Sequence, residues 1–100
     1  MNNIPNSSKP AGMHQFILFI SGMSAKSSHA VENMRKICDQ YLSGNFELQI
    51  IDINREKQLA VDYQIIAIPT LIRISPDPRK TILGDLSDTS KVLKILDINQ

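Results

Sequence analysis

Residues 65–75 read IIAIPTLIRIS, a loop that ends in Pro69 and continues into a β-type run over residues 70–75. Proline is tolerated at the first residue of a strand because no hydrogen-bond donor of the ladder is lost there. Residues 80–83, KTIL, form a second β-type run, and the PDPR segment at residues 76–79 predicts a turn between the two runs. We therefore expect an antiparallel hairpin in this half of the chain.

Upstream of this hairpin, the sequence predicts two strands separated by an amphipathic helix. Residues 16–20, FILFI, form a continuous apolar run that is typical of a strand buried on both faces. Residues 46–53, FELQIIDI, first alternate between apolar and polar residues, which predicts a strand near a sheet edge. Between them, residues 24–43 have apolar side chains at helical spacing, with Ser24 or Ser27 as the N-cap. The apolar stripe of this helix comprises Val31, Met34, Ile37, Cys38, Tyr41 and Leu42.

Two shorter helices complete the predicted elements. Asn54 is expected to cap a short helix that runs through Tyr63. Ser87 or Asp88 is expected to cap a final helix near the C-terminus. The predicted order is therefore β-α-β-α-β-β-α, and short crossovers between these elements give a mixed sheet.

The complete order resembles the thioredoxin-like arrangement, an α/β fold whose mixed four-stranded sheet has helices on both faces. Thioredoxin-like folds have a cis-proline at the position of Pro69, so we expect the Ile68–Pro69 peptide bond to be cis. A chain of 100 residues accommodates one small domain. We therefore expect a single domain over residues 14–100, preceded by a flexible tail over residues 1–13.

The charge balance argues against two classes of partner. Eleven Lys and Arg residues against ten Asp and Glu residues give a net charge of +1, which provides no global field for nucleic acid or an anionic membrane. Arg73, Arg79 and Lys80 flank the hairpin, but the aromatic residues expected of a nucleic-acid site are missing around them. We expect these three residues to form a solvated basic turn. No apolar stretch approaches the ~20 residues that span a bilayer, so neither nucleic acid nor a membrane is a predicted partner.

The cysteine content and the N-terminal residues favour the cytoplasm. A single cysteine excludes an intramolecular disulfide and a multi-cysteine zinc site. Residues 1–13 contain no hydrophobic stretch after a basic start, so no secretory signal is predicted. His14 and His29 have no residues at metal-ligand spacing around them. We therefore predict a cytoplasmic protein with no metal site and no cofactor.

The position of a thioredoxin's redox motif contains no thiol in this chain. A CxxC motif would open the first helix, where this sequence has Ser24 and Ser27 at the same spacing. A hydroxyl cannot exchange a disulfide, because that reaction requires a thiolate. Cys38 lies on the apolar stripe and is expected to be a small buried hydrophobic residue. No catalytic residue is predicted, and a redox enzyme that uses Cys38 is the least favoured of three functional hypotheses.

Several motifs resemble the bacterial clock protein family KaiB. That family typically has QLA, then KILATPTL, then a proline-containing hairpin and IIGDLSD. Here residues 58–60 read QLA, residues 65–71 read IIAIPTL and residues 82–88 read ILGDLSD. The resemblance covers residues 14–98. It implies a non-enzymatic regulator that binds KaiC, a hexameric ATPase and autokinase, and alters its phosphorylation cycle in circadian or stress-adaptation signalling. A thioredoxin-like adaptor or sensor domain in a histidine-kinase pathway is the alternative hypothesis.

The resemblance also implies which residues bind partners. The expected docking surface includes Lys26 and His29 at the open end of the first helix. It also includes Glu47 and Gln49 on the second strand. The family commonly has an arginine at the position of His29 and a lysine at the position of Gln49, so this chain has lost two positive charges there.

The resemblance finally implies two alternative folds. KaiB proteins adopt a resting form that assembles as a tetramer and a thioredoxin-like monomer that binds KaiC. Gly84, Asp85, Ile95 and Asp97 are the expected determinants of the fold state. Ile95 replaces a family glycine, and glycine inside a helix costs about 1 kcal/mol relative to alanine, whereas isoleucine costs less. We therefore expect the chain to be held largely in the thioredoxin-like state, with the capacity to self-associate as a dimer or tetramer.

Overall fold

The computed structural model describes residues 12–98, and its elements follow the order expected from the sequence. The N-terminal residues 1–11 of the expected tail lie outside the described residues. The strands and helices are β1 (His14–Ile20), α1 (Ala25–Tyr41), β2 (Phe46–Asp52), α2 (Lys57–Asp62), β3 (Thr70–Ser75), β4 (Lys80–Leu83) and α3 (Thr89–Ile95).

The four strands form one mixed sheet in the order β2-β1-β3-β4. Strand β1 pairs in parallel with β2 and antiparallel with β3, and β3 and β4 form the expected antiparallel hairpin. Phe16, Leu18 and Phe19 of β1 are at most 2% exposed, which confirms a strand buried on both faces. Strand β2 lies at one edge of the sheet, as its alternating sequence predicts.

Helices cover both faces of this sheet, so the predicted α/β class is confirmed. Helices α1 and α3 pack on one face, where Phe16 and Leu18 contact the stripe of α1 that includes Met34. On the other face, Phe19 and Ile72 belong to a smaller cluster against which α2 packs. Helix α2 contains no fully buried residue, so it leaves much of this second face thinly covered.

Side-chain caps define two of the helix starts. The Ser24 hydroxyl accepts a hydrogen bond from the Ser27 amide at 3.2 Å and begins α1. The Asp88 carboxylate accepts a hydrogen bond from the Lys91 amide at 3.1 Å and begins α3. Each side chain therefore satisfies an amide that the first turn of its helix leaves without a backbone partner.

The expected cap of α2 is wrong. Asn54 lies before the helix, and Glu56 occupies the N-cap position without a side-chain cap bond. The reason is a turn in which the Asp52 carboxylate accepts a hydrogen bond from the Asn54 amide and the Asp52 carbonyl accepts one from the Glu56 amide. The Asn54 side chain instead donates to the Ser21 hydroxyl at 3.2 Å.

The expectation of a solvated basic turn is also wrong for Arg73. This residue lies opposite Phe16 in the sheet and is only 2% exposed. Its Nη1 donates to the Leu96 carbonyl at 2.5 Å, and its Nη2 donates to the Pro78 carbonyl at 2.9 Å. Because Leu96 is the C-cap of α3, the guanidinium neutralises the negative end of that helix and joins it to the hairpin turn.

Candidate docking site

In the loop where a thioredoxin has its redox motif, this chain has serine hydroxyls that form structural hydrogen bonds. Besides the Ser24 cap, the buried Ser27 hydroxyl accepts a hydrogen bond from the Ser21 amide at 3.1 Å. The Ser24 hydroxyl therefore caps α1, and the Ser27 hydroxyl ties the first turn of α1 to the residue that follows β1. The Ile68–Pro69 peptide bond, at the entrance of β3, is cis.

The thiol of the chain lies elsewhere, inside the core. Cys38 is 0% exposed and belongs to the cluster between α1, α3 and the sheet. Burial, with a smaller effect from the neighbouring Asp39 carboxylate, raises the pKa of the Cys38 thiol to about 12. Since the thiolate is the reactive form, this cysteine behaves as a small hydrophobic residue, as expected from the apolar stripe.

The GDLSD segment forms a tight loop between β4 and α3. Gly84 has a φ of 106°, a conformation that glycine adopts without steric cost. Leu86 also has a positive φ, and its side chain is 4% exposed and contacts the core. The Asp85 carboxylate accepts a hydrogen bond from the Ser87 amide at 3.1 Å, and Asp88 then caps α3. The loop is thus anchored by one buried side chain and two aspartates.

Helix α1 meets this loop through its N-terminal half. The Asn33 side-chain amide donates to the Asp85 carbonyl at 2.9 Å, a contact between residues far apart in sequence. The hydrogen bonds from Ser87 lower the pKa of the Asp85 carboxyl, and the positive charges of Lys26 and His29 lower it further. We name this group the α1–loop site; it comprises Lys26, His29, Asn33 and Asp85.

The α1–loop site contains Lys26 and His29, which were expected at a docking surface. It also contains Asp85, which was expected to determine the fold state. Lys26 and His29 are exposed, and both lie close enough to Asp85 to lower the pKa of its carboxyl. Asn33 was not predicted as a contact residue from the sequence. Its spacing was nevertheless a signal, because Lys26, His29 and Asn33 have the i, i+3, i+7 spacing of a single helix face. A shallow cavity of about 170 Å³ lies beside the site and is lined by Asp85, Ser87, Asp88 and Lys91 among others.

Glu47 and Gln49 lie on the opposite face of the sheet. They pair with Gln15 and Ile17 of β1, and residues directly opposite each other share a face. That face is the one occupied by α2, because Ile51 two residues later belongs to the α2-side cluster. We name Glu47 and Gln49 the β2 patch. The Gln15 side chain donates to the Glu47 carboxylate at 3.3 Å. The four expected contact residues therefore form two separate surfaces.

The remaining expected fold-state residues lie at the end of α3. Ile95 is partly buried and packs against the α1–α3 core cluster. Asp97 has a φ of 55°, and its amide donates to the Lys94 carbonyl at 3.2 Å, so the chain turns away directly after the helix. Within residues 12–98, no cluster of three His, Cys, Asp or Glu side chains suits a metal ion. No helix in the same range is long and apolar enough to cross a membrane.

The fold and the serine-containing loop before α1 together define a thioredoxin-like protein without a thiol at the position of the thioredoxin redox motif. Solved structures agree on the fold. The N-terminal domain of SasA from Synechococcus elongatus has a TM-score of 0.71 at 24% identity, covering 97% of this chain and 93% of that domain. Thioredoxin from Fasciola hepatica has a TM-score of 0.70 at 14% identity, covering 89% of this chain and 84% of that chain.

Sequence comparison then defines the family. The KaiB domain profile matches residues 17–98. The circadian clock protein KaiB3 of a Synechocystis species is 41% identical over 81% of this chain and 79% of its own length. The circadian clock oscillator protein KaiB of Prochlorococcus marinus is 40% identical over 81% of this chain and 77% of its own length. The chain belongs to the KaiB family, which confirms the resemblance seen in its motifs.

Proposed function

We propose that this chain is a non-enzymatic regulator that binds a KaiC-type hexameric ATPase and autokinase and modulates its phosphorylation state. Circadian or stress-adaptation signalling in the cytoplasm is the proposed setting. The similarity to proteins named as circadian clock proteins supports the class of function. The observation that carries the binding role is the α1–loop site, in which Asn33 of α1 donates to the Asp85 carbonyl and Lys26 and His29 lie on the same face of the helix.

The geometry of the α1–loop site suits a protein partner. Lys26 and His29 supply positive or polarisable groups, and Asp85 supplies a carboxylate, so the site presents both signs of charge on a shallow surface. Such a pattern selects a partner surface of complementary charge. The bond from Asn33 to the Asp85 carbonyl orders the loop before binding, and a preordered loop loses less entropy when a partner docks.

The β2 patch is a second proposed contact. Glu47 and Gln49 lie on the face of the sheet that α2 covers, so they meet a different part of a partner from the α1–loop site. Beside them, a groove of about 200 Å³ is lined by Gln15, Ile17 and Tyr63 among others. The loss of the family lysine at Gln49 predicts a change of partner preference at this second surface.

The test is size-exclusion chromatography of the chain with a KaiC-type ATPase, with and without ATP. We expect co-elution in at least one nucleotide state. Lys26→Glu reverses a charge next to Asp85 and is expected to weaken binding by about tenfold. Lys57→Glu is the matched control, because Lys57 is also exposed but begins α2 on the opposite face and is not among the residues that line the groove beside the β2 patch. Separate elution in every nucleotide state, or capture by a histidine kinase instead, would contradict the proposal.

A further inference from the structure

An open apolar groove lies beside β4, away from the α1–loop site. Its volume is about 400 Å³, and its lining includes Tyr63, Ile65, Ile66 and Leu83. The groove belongs to the face on which α2 packs, because Ile72 of the α2-side cluster also lines it. Ile66 is 90% exposed and Leu83 is 56% exposed, although both side chains are large and aliphatic. Contiguous exposed apolar side chains of this kind are typical of an interaction surface.

Strand β4 offers backbone hydrogen-bonding groups along one side of this groove. In the sheet formed by residues 12–98, β4 pairs with β3 and is the last strand of the order. The Gly84 amide donates to the Pro69 carbonyl at 2.9 Å, and bonded pairs alternate along an antiparallel ladder. The N–H and C=O groups of Thr81 and Leu83 therefore point away from β3. An extended segment can bond to such groups and place its side chains in the adjacent groove.

A cation lies at the end of the groove where β4 begins. The guanidinium carbon of Arg79 is 5.6 Å from the centre of the Tyr63 ring, and Tyr63 lines the groove. Arg79 is exposed, so its guanidinium remains accessible to a carboxylate of a bound segment. The groove is therefore apolar along its length and positively charged at one end.

The charges favour a strand of a different protein over a second copy of this chain. Arg79 and Lys80 begin the free edge, and the residues from there to Gly84 include no acid. The next acidic residue is Asp85, whose carboxylate accepts a hydrogen bond from the Ser87 amide and belongs to the α1–loop site. Two copies paired through β4 would add cations to this edge without adding a free carboxylate. A partner strand that has its own acidic residue complements the edge instead.

The direction of the partner strand determines where that acid lies. Antiparallel strand pairs are slightly more stable per residue than parallel pairs. In an antiparallel partner, the C-terminal end of the segment lies at the start of β4 and next to Arg79. Every second side chain of the segment then faces the groove, because side chains alternate between the two faces of a sheet.

We propose that β4 and its groove bind an extended segment of another protein that has apolar side chains at alternate positions and a carboxylate near its C-terminal end. The segment adds a fifth, antiparallel strand to the sheet. Its backbone bonds to Thr81 and Leu83, its apolar side chains contact Ile66, and its carboxylate pairs with Arg79. This surface excludes the residues of the α1–loop site, so the inference does not depend on the proposed ATPase binding and is tested without the ATPase.

The experiment is fluorescence anisotropy of two labelled eight-residue peptides titrated with the chain. Both peptides begin with six residues that alternate valine and threonine; the acidic probe ends in two aspartates and the basic probe ends in two lysines. We expect saturable binding of the acidic probe and about tenfold weaker binding of the basic probe. Arg79→Glu should reverse this preference. Arg55→Glu is the matched control, because it makes the same charge change at an exposed residue that does not line the groove, and it should leave the preference unchanged.

Two further variants separate the backbone bonds from the apolar contact. Thr81→Pro removes the outward amide and leaves the bonds to β3, as proline at a strand edge does, so the acidic probe should bind about fivefold more weakly. Leu83→Ser keeps the backbone and removes an apolar side chain from the groove, which should also weaken binding. Its matched control is Val61→Ser, at a residue that is 68% exposed on α2 and is not among those lining the groove.

Circular dichroism melting checks that every variant is folded. The proposal is overturned by absence of saturable binding, by equal affinity for the two probes, or by an affinity that stays unchanged in both Arg79→Glu and Leu83→Ser. A dimer that the acidic probe fails to dissociate in sedimentation velocity would also overturn it, because a second copy would then cover the edge.

Discussion

Thiol reagents should react with Cys38 far more slowly than with an ordinary cysteine. The side chain is 0% exposed, and burial together with Asp39 raises its pKa from 9.0 to about 12. Three pKa units reduce the thiolate fraction at pH 8 by about a thousandfold, because each unit is a factor of ten. Burial lowers the rate further, since the reagent reaches the sulfur only after local opening of the core. The same shift means that stability is lost as the pH rises above 9, where the unfolded thiol ionises and the native thiol does not.

The assay is the absorbance change of an aromatic disulfide reagent mixed with native protein and with protein in guanidinium chloride. We expect one thiol per chain in the denatured sample and a rate at least about a thousandfold lower in the native one. Cys38→Ala gives the background. A native rate within about tenfold of the denatured rate would refute the reasoning. Disulfide-reductase activity that Cys38→Ala abolishes would restore the redox hypothesis.

Three further predictions concern stability. Burial and the Arg73 charge lower the pKa of His14 in the folded chain. Below pH 6.5, the ordinary pKa of histidine, the unfolded chain therefore binds more protons than the folded chain. The melting temperature should therefore fall from pH 7 to pH 5, and His14→Phe should flatten that dependence, whereas an unchanged slope would contradict the assignment. Asp88→Ala removes the cap of α3 and should cost about 1 kcal/mol in urea unfolding, whereas Thr89→Ala, one residue later, should cost less. Arg73→Met leaves the Leu96 and Pro78 carbonyls without their donor, so amide exchange in α3 should accelerate relative to α1; equal acceleration in both helices would count against a specific anchor.

Local patterns in the sequence were sufficient for most of the fold. The hairpin followed from two β-type runs around the PDPR turn, because turn chemistry and strand propensity act over a few residues. The α1 stripe, including Cys38, followed from helical periodicity, and the cap of the last helix is Asp88, one of the two candidates that the sequence offered with Ser87. Residues whose partners lie close in sequence were therefore assigned correctly.

Residues with distant partners were misjudged. Arg73 looks like a surface cation in sequence, and only the packing of α3 over the sheet brings the Leu96 carbonyl within its reach. Asn54 is a residue type that often caps helices, but its side-chain amide donates to the Ser21 hydroxyl of a different loop. The Asp52 carboxylate accepts a hydrogen bond from the Asn54 backbone amide in a turn that precedes α2. The division of the expected contacts between two faces of the sheet likewise depends on the β1–β2 register, which periodicity does not specify.

The central claim is that the thioredoxin-like form of the chain presents the α1–loop site to a KaiC-type ATPase. Backbone NMR of the labelled chain, free and then mixed with the ATPase and ATP, tests it most directly. We expect helical chemical shifts over Thr89–Ile95 in the free chain, and perturbation at Lys26, His29 and Asp85 on mixing. Strand shifts across residues 88–97 in the free chain, or no change at those three residues when the ATPase is added, would contradict the account.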